Sequence, residues 1–312
     1  MGPVLFLLAV MVGTFGLGVV TSWVDRKVTA RVQYRVGPPL LQPLYDVVKL
    51  MGKETLVPES ARRTGFLLAP VASVAAVAVA ATLLWMANLG HDLGFRGDLI
   101  VVVYLLTIPS LALILGGSAS GSPHAAVGAS REMKLVFSYE LPLVIALLAA
   151  VVKMAGGWSF SLSEMPGAAG GSPAVYSVSG VLALLVAIIC FQAKLGLVPF
   201  DIAEAETELM AGVETEYSGP PYALFTVAKL MMLATLPVLA ITVFWGGLGL
   251  ASGGGAGWAV LWFALKYLLI VVLFVLIRNT NPRVRVDQAV RFFWFLVTPA
   301  AVVALVLALV GY

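Results

Sequence analysis

The stretch GPVLFLLAVMVGTFGLGVVTS, Gly2 to Ser22, carries no charge along its whole length. About twenty apolar residues is the helix length that crosses a hydrocarbon core of about 30 Å. A secretory signal would need a basic segment ahead of such a run and a small-residue cleavage site behind it. Neither is present, so the run reads as a retained first span. Comparable runs recur to the end of a 312-residue chain that is 61% hydrophobic and 11% charged, with mean hydropathy +1.01. No soluble core requires so much apolar length, and the expected fold is an all-α polytopic membrane protein forming one transmembrane domain over 1–312.

Apolar windows and their Gly, Pro and charge interruptions place eight spans near 3–22, 66–88, 99–118, 136–155, 176–195, 222–245, 257–278 and 288–311. The connections alternate in character. Fifteen of the nineteen Lys and Arg residues lie in the odd-numbered connections 23–65, 119–135, 196–221 and 279–287 or at their helix edges, against Arg96 alone in the even ones. Basic residues are retained on the cytoplasmic side, which puts the odd loops inside and both termini outside the inner membrane of a bacterium or archaeon. The net charge of +3 therefore reports orientation and gives no reason to expect nucleic acid.

The single cysteine, Cys190, lies in an apolar run, which excludes an internal disulfide and argues against a cysteine-held metal or iron–sulfur cluster. His91 and His124 fall in successive connections expected on opposite sides of the membrane, so they are poorly placed to share a haem. No cofactor is expected in this chain.

The first inner loop is too long to be a mere connector. After Pro38-Pro39, Leu40, Leu41, Leu44, Val47, Val48 and Met51 fall near helical spacing, with Asp46, Lys49 and Lys53 opposite. That pattern predicts an amphipathic helix on the membrane face or against a partner. The segment DIAEAETELMAGVETEY, Asp201 to Tyr217, gathers Asp201, Glu204, Glu206, Glu208, Glu214 and Glu216, six of the sixteen acids, with no basic residue among them. In a short helix Asp201, Glu204 and Glu208 share one face. Crowded, partly dry carboxyls raise one another's pKa and can pass protons. A wet loop, or a patch docking on a basic partner, explains the same acids; interleaved Ile202, Leu209, Met210 and Val213 argue for packing, and the two readings stay even.

Glu140, in SYELPL, is expected at the entrance to the fourth helix, where capping suffices to explain it. Lys266 falls about 14 Å of helix from the outer end, near the midplane, and needs a partner or an internal water path. Lys229 is close enough to its helix end to snorkel inward.

Three motifs carry a resemblance: RKVTARVQYRVGPPLLQPLYDVVKLMGKE (Arg26–Glu54), SYELPL (Ser138–Leu143) and PFDIAEAETELMAGVETEYSGPPYAL (Pro199–Leu224). Together they resemble the eight-helix membrane subunit shared by respiratory complex I, the NADH dehydrogenase subunit 1 family, and energy-converting membrane-bound [NiFe] hydrogenases. Gly37-Pro38-Pro39 runs directly into Leu40-Leu41-Gln42-Pro43, where complex I members typically carry a second Gly-Pro turn. The contraction resembles the hydrogenase branch, with a sulfur-reducing relative close beside it.

That resemblance implies a non-catalytic subunit of a membrane-bound oxidoreductase, joining a ferredoxin-fed redox module to ion movement. Its implied partners are hydrogenase-like large and small subunits, which would hold the [NiFe] centre and iron–sulfur clusters, antiporter-like membrane subunits and other small membrane subunits. By the same resemblance Glu140, Glu204, Glu206, Glu208 and Glu216 form a proton or charge relay, with Asp201 orienting the loop and Lys266 added as an intramembrane charge. Arg31, Arg35, Gly37, Pro38, Gln42, Asp46 and Arg131 brace the peripheral module. The rival readings are a quinone-site subunit of a complex I-type enzyme and a free-standing secondary transporter.

Overall fold

In hydrocarbon every backbone N–H and C=O must find its partner within the protein, and these apolar runs meet that demand as helices. The computed structural model describes residues 2–91, 97–154, 160–162, 173–203, 212–249 and 255–311. Its helices are α1 (Pro3–Val32), α2 (Gln42–Met51), α3 (Arg63–Asn88), α4 (Asp98–Leu105), α5 (Ile108–Ala119), α6 (Pro123–Met154), α7 (Val178–Lys194), α8 (Pro220–Trp245), α9 (Ala256–Thr280), α10 (Val286–Phe292) and α11 (Thr298–Val310). Among the described residues there is no strand. Among the described residues seven stretches are long and apolar enough to cross a membrane: α1, α3, α4 with α5, α6, α8, α9, and α10 with α11. The 17-residue α7 is a shorter eighth.

Four helices depart from the hydropathy windows, each for a local reason. Charge ends a window without ending a helix: α1 runs on through Asp25, Arg26 and Lys27 because no Gly or Pro stops it before Gly37. It ends where Tyr34 turns left-handed (φ 56°) and Arg35 N–H returns to the Ala30 carbonyl at 2.7 Å. Helix α6 begins at Pro123, not near 136, since proline fits a first helical position. Arg131 and Glu140 therefore both lie on helix. The span expected at 99–118 is two half-helices broken at Leu106-Thr107, because Pro109 has no N–H to donate and its ring crowds the Leu105 carbonyl. The last span starts at Val286 and contains a π turn, Phe293–Val297, just before Pro299, with the Thr298 hydroxyl donating to the Phe293 carbonyl at 2.8 Å.

The core is built around α8, whose span is 83% buried. It packs against α1, α2, α3, α7 and α9, while α6 packs against α5, α7 and α11. Close approach is written in glycine: a Cβ on Gly18 of α1 would stand 2.2 Å from the Leu230 carbonyl oxygen of α8. Only a residue without a side chain lets those backbones meet. The odd-numbered connections are tied together by Arg62 N–H to the Ala119 carbonyl (2.8 Å), Leu56 N–H to Ser218 Oγ (3.3 Å) and Val284 N–H to the Pro199 carbonyl (3.1 Å).

Candidate functional site

The amphipathic pattern after Pro39 folds as α2, pinned to the C-terminal end of α1. Arg26 donates to Asp46 Oδ2 at 2.9 Å, Gln42 donates to Asp46 Oδ1 at 3.0 Å, and Trp23 Nε1 donates to the Pro38 carbonyl at 3.2 Å. Desolvation pushes the Asp46 carboxyl up, but the hydrogen bonds from Arg26 and Gln42 and the charges of Arg26 and Lys49 outweigh it, holding Asp46 below the usual carboxylate value. Gly37 lies against Lys27, where a Cβ would come 2.6 Å from Lys27 Cδ. The turn between α1 and α2 projects Tyr34 (100% exposed) and Val36 (97%), with Arg31 and Arg35 exposed beside them. Arg131, Arg283 and Arg285 line a separate cleft of about 640 Å³ with Ile202 and Asp287.

Both described ends of the acidic segment are fastened. At the first, Asp201 takes a two-pronged hydrogen bond from Arg283, Nε donating at 2.7 Å and Nη2 also bonded, while Ile202 and Ala203 are buried. At the second, Val213 wedges between α5 and α6, where a Cβ on Gly117 or Gly128 would collide with it. Tyr217 stacks on Phe66 with ring centroids 4.1 Å apart and donates to the Phe66 carbonyl at 3.1 Å. Burial pushes the Tyr217 hydroxyl up, so it stays a donor throughout the neutral range. Glu216 is half-buried. Glu204, Glu206 and Glu208 lie outside the described residues.

Two clefts meet at these fastenings. The larger, about 1280 Å³, opens under α1 between Ser22, Asp25, Arg26, Tyr222 and Arg278. The smaller, about 650 Å³, reaches Ser110, Glu132 and Lys194. Leu195, Gly196, Asp201, Glu214 and Lys229 belong to the walls of both.

Beyond the smaller cleft three helices bring their polar groups together. Lys194, the last residue of α7, forms an ion pair with Glu140 of α6 and donates to Thr107 Oγ1 at 3.1 Å in the α4–α5 break. Thr107 Oγ1 lies 2.8 Å from Glu140 Oε1 and 3.0 Å from the Val103 carbonyl. The ammonium also sits over the Tyr139 ring, 5.4 Å from its centroid. The Lys194 side chain is 1% exposed and that of Glu140 22%. Capping is therefore the wrong reading of Glu140. Its helix starts at Pro123, and the carboxylate answers a buried charge from another helix.

Sequence reasoning missed Lys194 and Thr107. The lysine entered only as one of the basic residues at the edge of a span, and the threonine was not singled out; Pro109 is the local signal of a helix break beside it. Lys266 has the partner its depth demanded, donating to the Trp245 carbonyl at the C-terminal end of α8 at 3.1 Å. It thus meets the negative end of a helix. Lys229 lines both clefts, half-buried. Among the described residues, no three His, Cys, Asp or Glu side chains gather as metal ligands.

Comparison with known proteins agrees with this architecture. The NADH dehydrogenase family model matches residues 4–309. The H subunit of NADH-quinone oxidoreductase from Thermomicrobium roseum is 35% identical over 307 residues, covering 92% of this chain and 89% of that protein. Its counterpart from Geobacillus kaustophilus is 34% identical, covering 97% and 91%. Among solved structures, a chain of the membrane-bound sulfane sulfur reductase, an archaeal respiratory membrane complex, superposes with TM-score 0.83 at 27% identity, covering 99% of this chain and 100% of that one.

Proposed function

Because this chain belongs to the NADH dehydrogenase subunit 1 family, we propose that it is the membrane-anchor and ion-coupling subunit of a ferredoxin-dependent, hydrogenase-type complex. In this reading the protein carries protons or charge between a peripheral redox module and the ion-pumping membrane subunits, and the redox chemistry belongs to its partners. The observation that carries it is the ion pair of Lys194 and Glu140, set at a broken helix inside the bilayer and reached from the inner face through clefts walled by Asp201, Glu214 and Glu132. Intramembrane charge of this kind is expensive unless it does something. The exposed turn bearing Arg31, Arg35 and Tyr34, with Arg131 across the inner face, is the docking surface for the peripheral module. The [NiFe] centre and iron–sulfur clusters reside in that module.

A sulfur-reducing complex is the second reading, favoured by the superposition on the sulfane sulfur reductase chain. A quinone-reducing complex is the third, favoured by the NADH-quinone oxidoreductase relatives and by the cleft of about 1280 Å³ under α1. Purification of the intact complex with its companion proteins separates the first reading from the other two: a large subunit keeping both pairs of nickel-ligating cysteines marks a hydrogenase, and loss of one pair marks sulfur or quinone reduction, which quinone-dependent turnover and its inhibition by quinone-site compounds then tell apart. The relay itself is tested by Glu140→Gln in the intact complex. Electron transfer to a dye in detergent stays within about twofold of the original while ion pumping into sealed vesicles falls tenfold or more; equal loss of both defeats the relay and leaves an anchor.

A further inference from the structure

Lys194 belongs to two environments at once. Its ammonium is bonded to Glu140 and Thr107 at the α4–α5 break, yet the residue also lines the inner-face cleft beside Glu132 and Ser110. Glu132 and Glu140 stand on the same helix eight positions apart, about 12 Å of rise, and the fields of both carboxylates reach Lys194. Its root is the last residue of α7, with Gly196 in a left-handed turn (φ 59°) two positions on, and its stem is a flexible four-carbon chain. The Tyr139 ring already holds the ammonium on its face, and its hydroxyl is 3.3 Å from Ser110 Oγ, which lines the cleft.

Thr107 makes departure of the lysine tolerable. Its hydroxyl has one proton and two acceptors within reach, Glu140 Oε1 at 2.8 Å and the Val103 carbonyl at 3.0 Å. While Glu140 is ionised, the hydroxyl proton can point at the carboxylate and its lone pairs at Lys194. Once Glu140 is protonated, the carboxyl can donate to Thr107 Oγ1, and the threonine proton turns to Val103. Each arrangement satisfies the buried polar groups at the break without repacking a helix.

We propose that Lys194 is the mobile charge of this site, its ammonium swinging between Glu140 at the helix break and the Glu132 wall of the inner-face cleft. This deepens the relay reading above and rests on it. The swing breaks no covalent bond. Glu140, losing its counter-charge, takes one proton from the cleft side, and releases that proton when the ammonium returns. Thr107 is a positioning residue, and Glu132 is the inner station.

The test is infrared difference spectroscopy of the intact complex, reduced with dithionite minus oxidised, reading the C=O stretch of a protonated carboxyl. The original complex shows a redox-dependent band that Glu140→Gln abolishes. In Lys194→Met, Glu140 is protonated in both states and the band drops out of the difference spectrum. Glu132→Gln removes the inner station without touching the pair, and the band falls below half. A lysine that only holds the fold together changes the amount of assembled complex but not this redox dependence. A full difference band in Lys194→Met overturns the proposal; if that variant does not assemble, a full band in Glu132→Gln does so. Absence of any Glu140 band in the original complex sinks the relay reading itself, which separates the two failures.

Discussion

Removing one partner of the Lys194–Glu140 pair should destabilise the protein asymmetrically, with opposite dependence on pH. Glu140→Gln leaves an ammonium 1% exposed at the helix break, with the Glu132 wall still within its reach, while Lys194→Met leaves a carboxylate that is 22% exposed. Breaking a buried pair typically costs about 3–5 kcal/mol. That loss has a ceiling, because a stranded charge can neutralise itself. At pH 7 an ordinary lysine sheds its proton for about 4.6 kcal/mol and an ordinary glutamate takes one up for about 3.7 kcal/mol, at 1.36 kcal/mol per pH unit. Lysine loses the proton more readily as pH rises, so each unit lowers its ceiling by about 1.4 kcal/mol; the carboxyl ceiling drops by the same amount per unit of falling pH. The Lys194→Met deficit therefore shrinks by up to about 2.7 kcal/mol between pH 7 and 5, and the Glu140→Gln deficit by at most that amount between pH 7 and 9, less where the ammonium falls back on Glu132. The double variant Lys194→Gln with Glu140→Gln strands no charge and should lie within about 1–2 kcal/mol of the original. Thermal unfolding of the detergent-solubilised complex across pH, followed by intrinsic fluorescence, gives the four corners of the cycle. Additive single losses with no pH dependence would mean that the two groups are solvated and uncoupled, refuting the buried-pair argument.

Gly116→Ala sets a Cβ 2.2 Å from the Tyr217 hydroxyl oxygen, and the overpacking should cost about 1–3 kcal/mol; faster limited proteolysis between residues 201 and 217 is the readout. Tyr217→Phe removes only the hydrogen bond to the Phe66 carbonyl, so a loss of about 1 kcal/mol is expected with the stack intact. Asp201→Asn breaks the two-pronged bond from Arg283, and hydrogen exchange at the Val284 amide should rise as the two loops part. The Asp46 contacts favour the ionised form, so their contribution is complete above the usual carboxylate range and disappears as pH falls through the lowered value. Exchange protection of α2 should accordingly persist at pH 5 and fade only below about pH 4.

Much of the chain was legible before folding. The apolar runs located the membrane-crossing segments, and the spacing after Pro39 located α2, because both are local patterns facing one solvent or another. Boundaries were less legible wherever charge and helix propensity disagree. Hydropathy ends the first window at Asp25 and opens the fourth only near Val136, yet neither position carries a helix stop, so α1 continues to Val32 and α6 starts at Pro123. At the described ends of the acidic segment the apolar Ile202 and Val213, which argued for packing, are both buried. Their seats could not be read, since the groove for Val213 is made by Gly117 and Gly128 on two other helices.

By itself the sequence determined that this chain must be a bundle of membrane helices with its basic residues gathered on one side, because hydrocarbon tolerates neither unpaired backbone nor scattered charge. Only tertiary structure decided which charges answer one another. Glu140 meets Lys194 54 positions away and Thr107 33 positions away, and no local pattern encodes that meeting. It arises from the packing of α5, α6 and α7 and from a helix broken ahead of Pro109, where the Thr107 hydroxyl meets Glu140 as well as its own backbone at Val103.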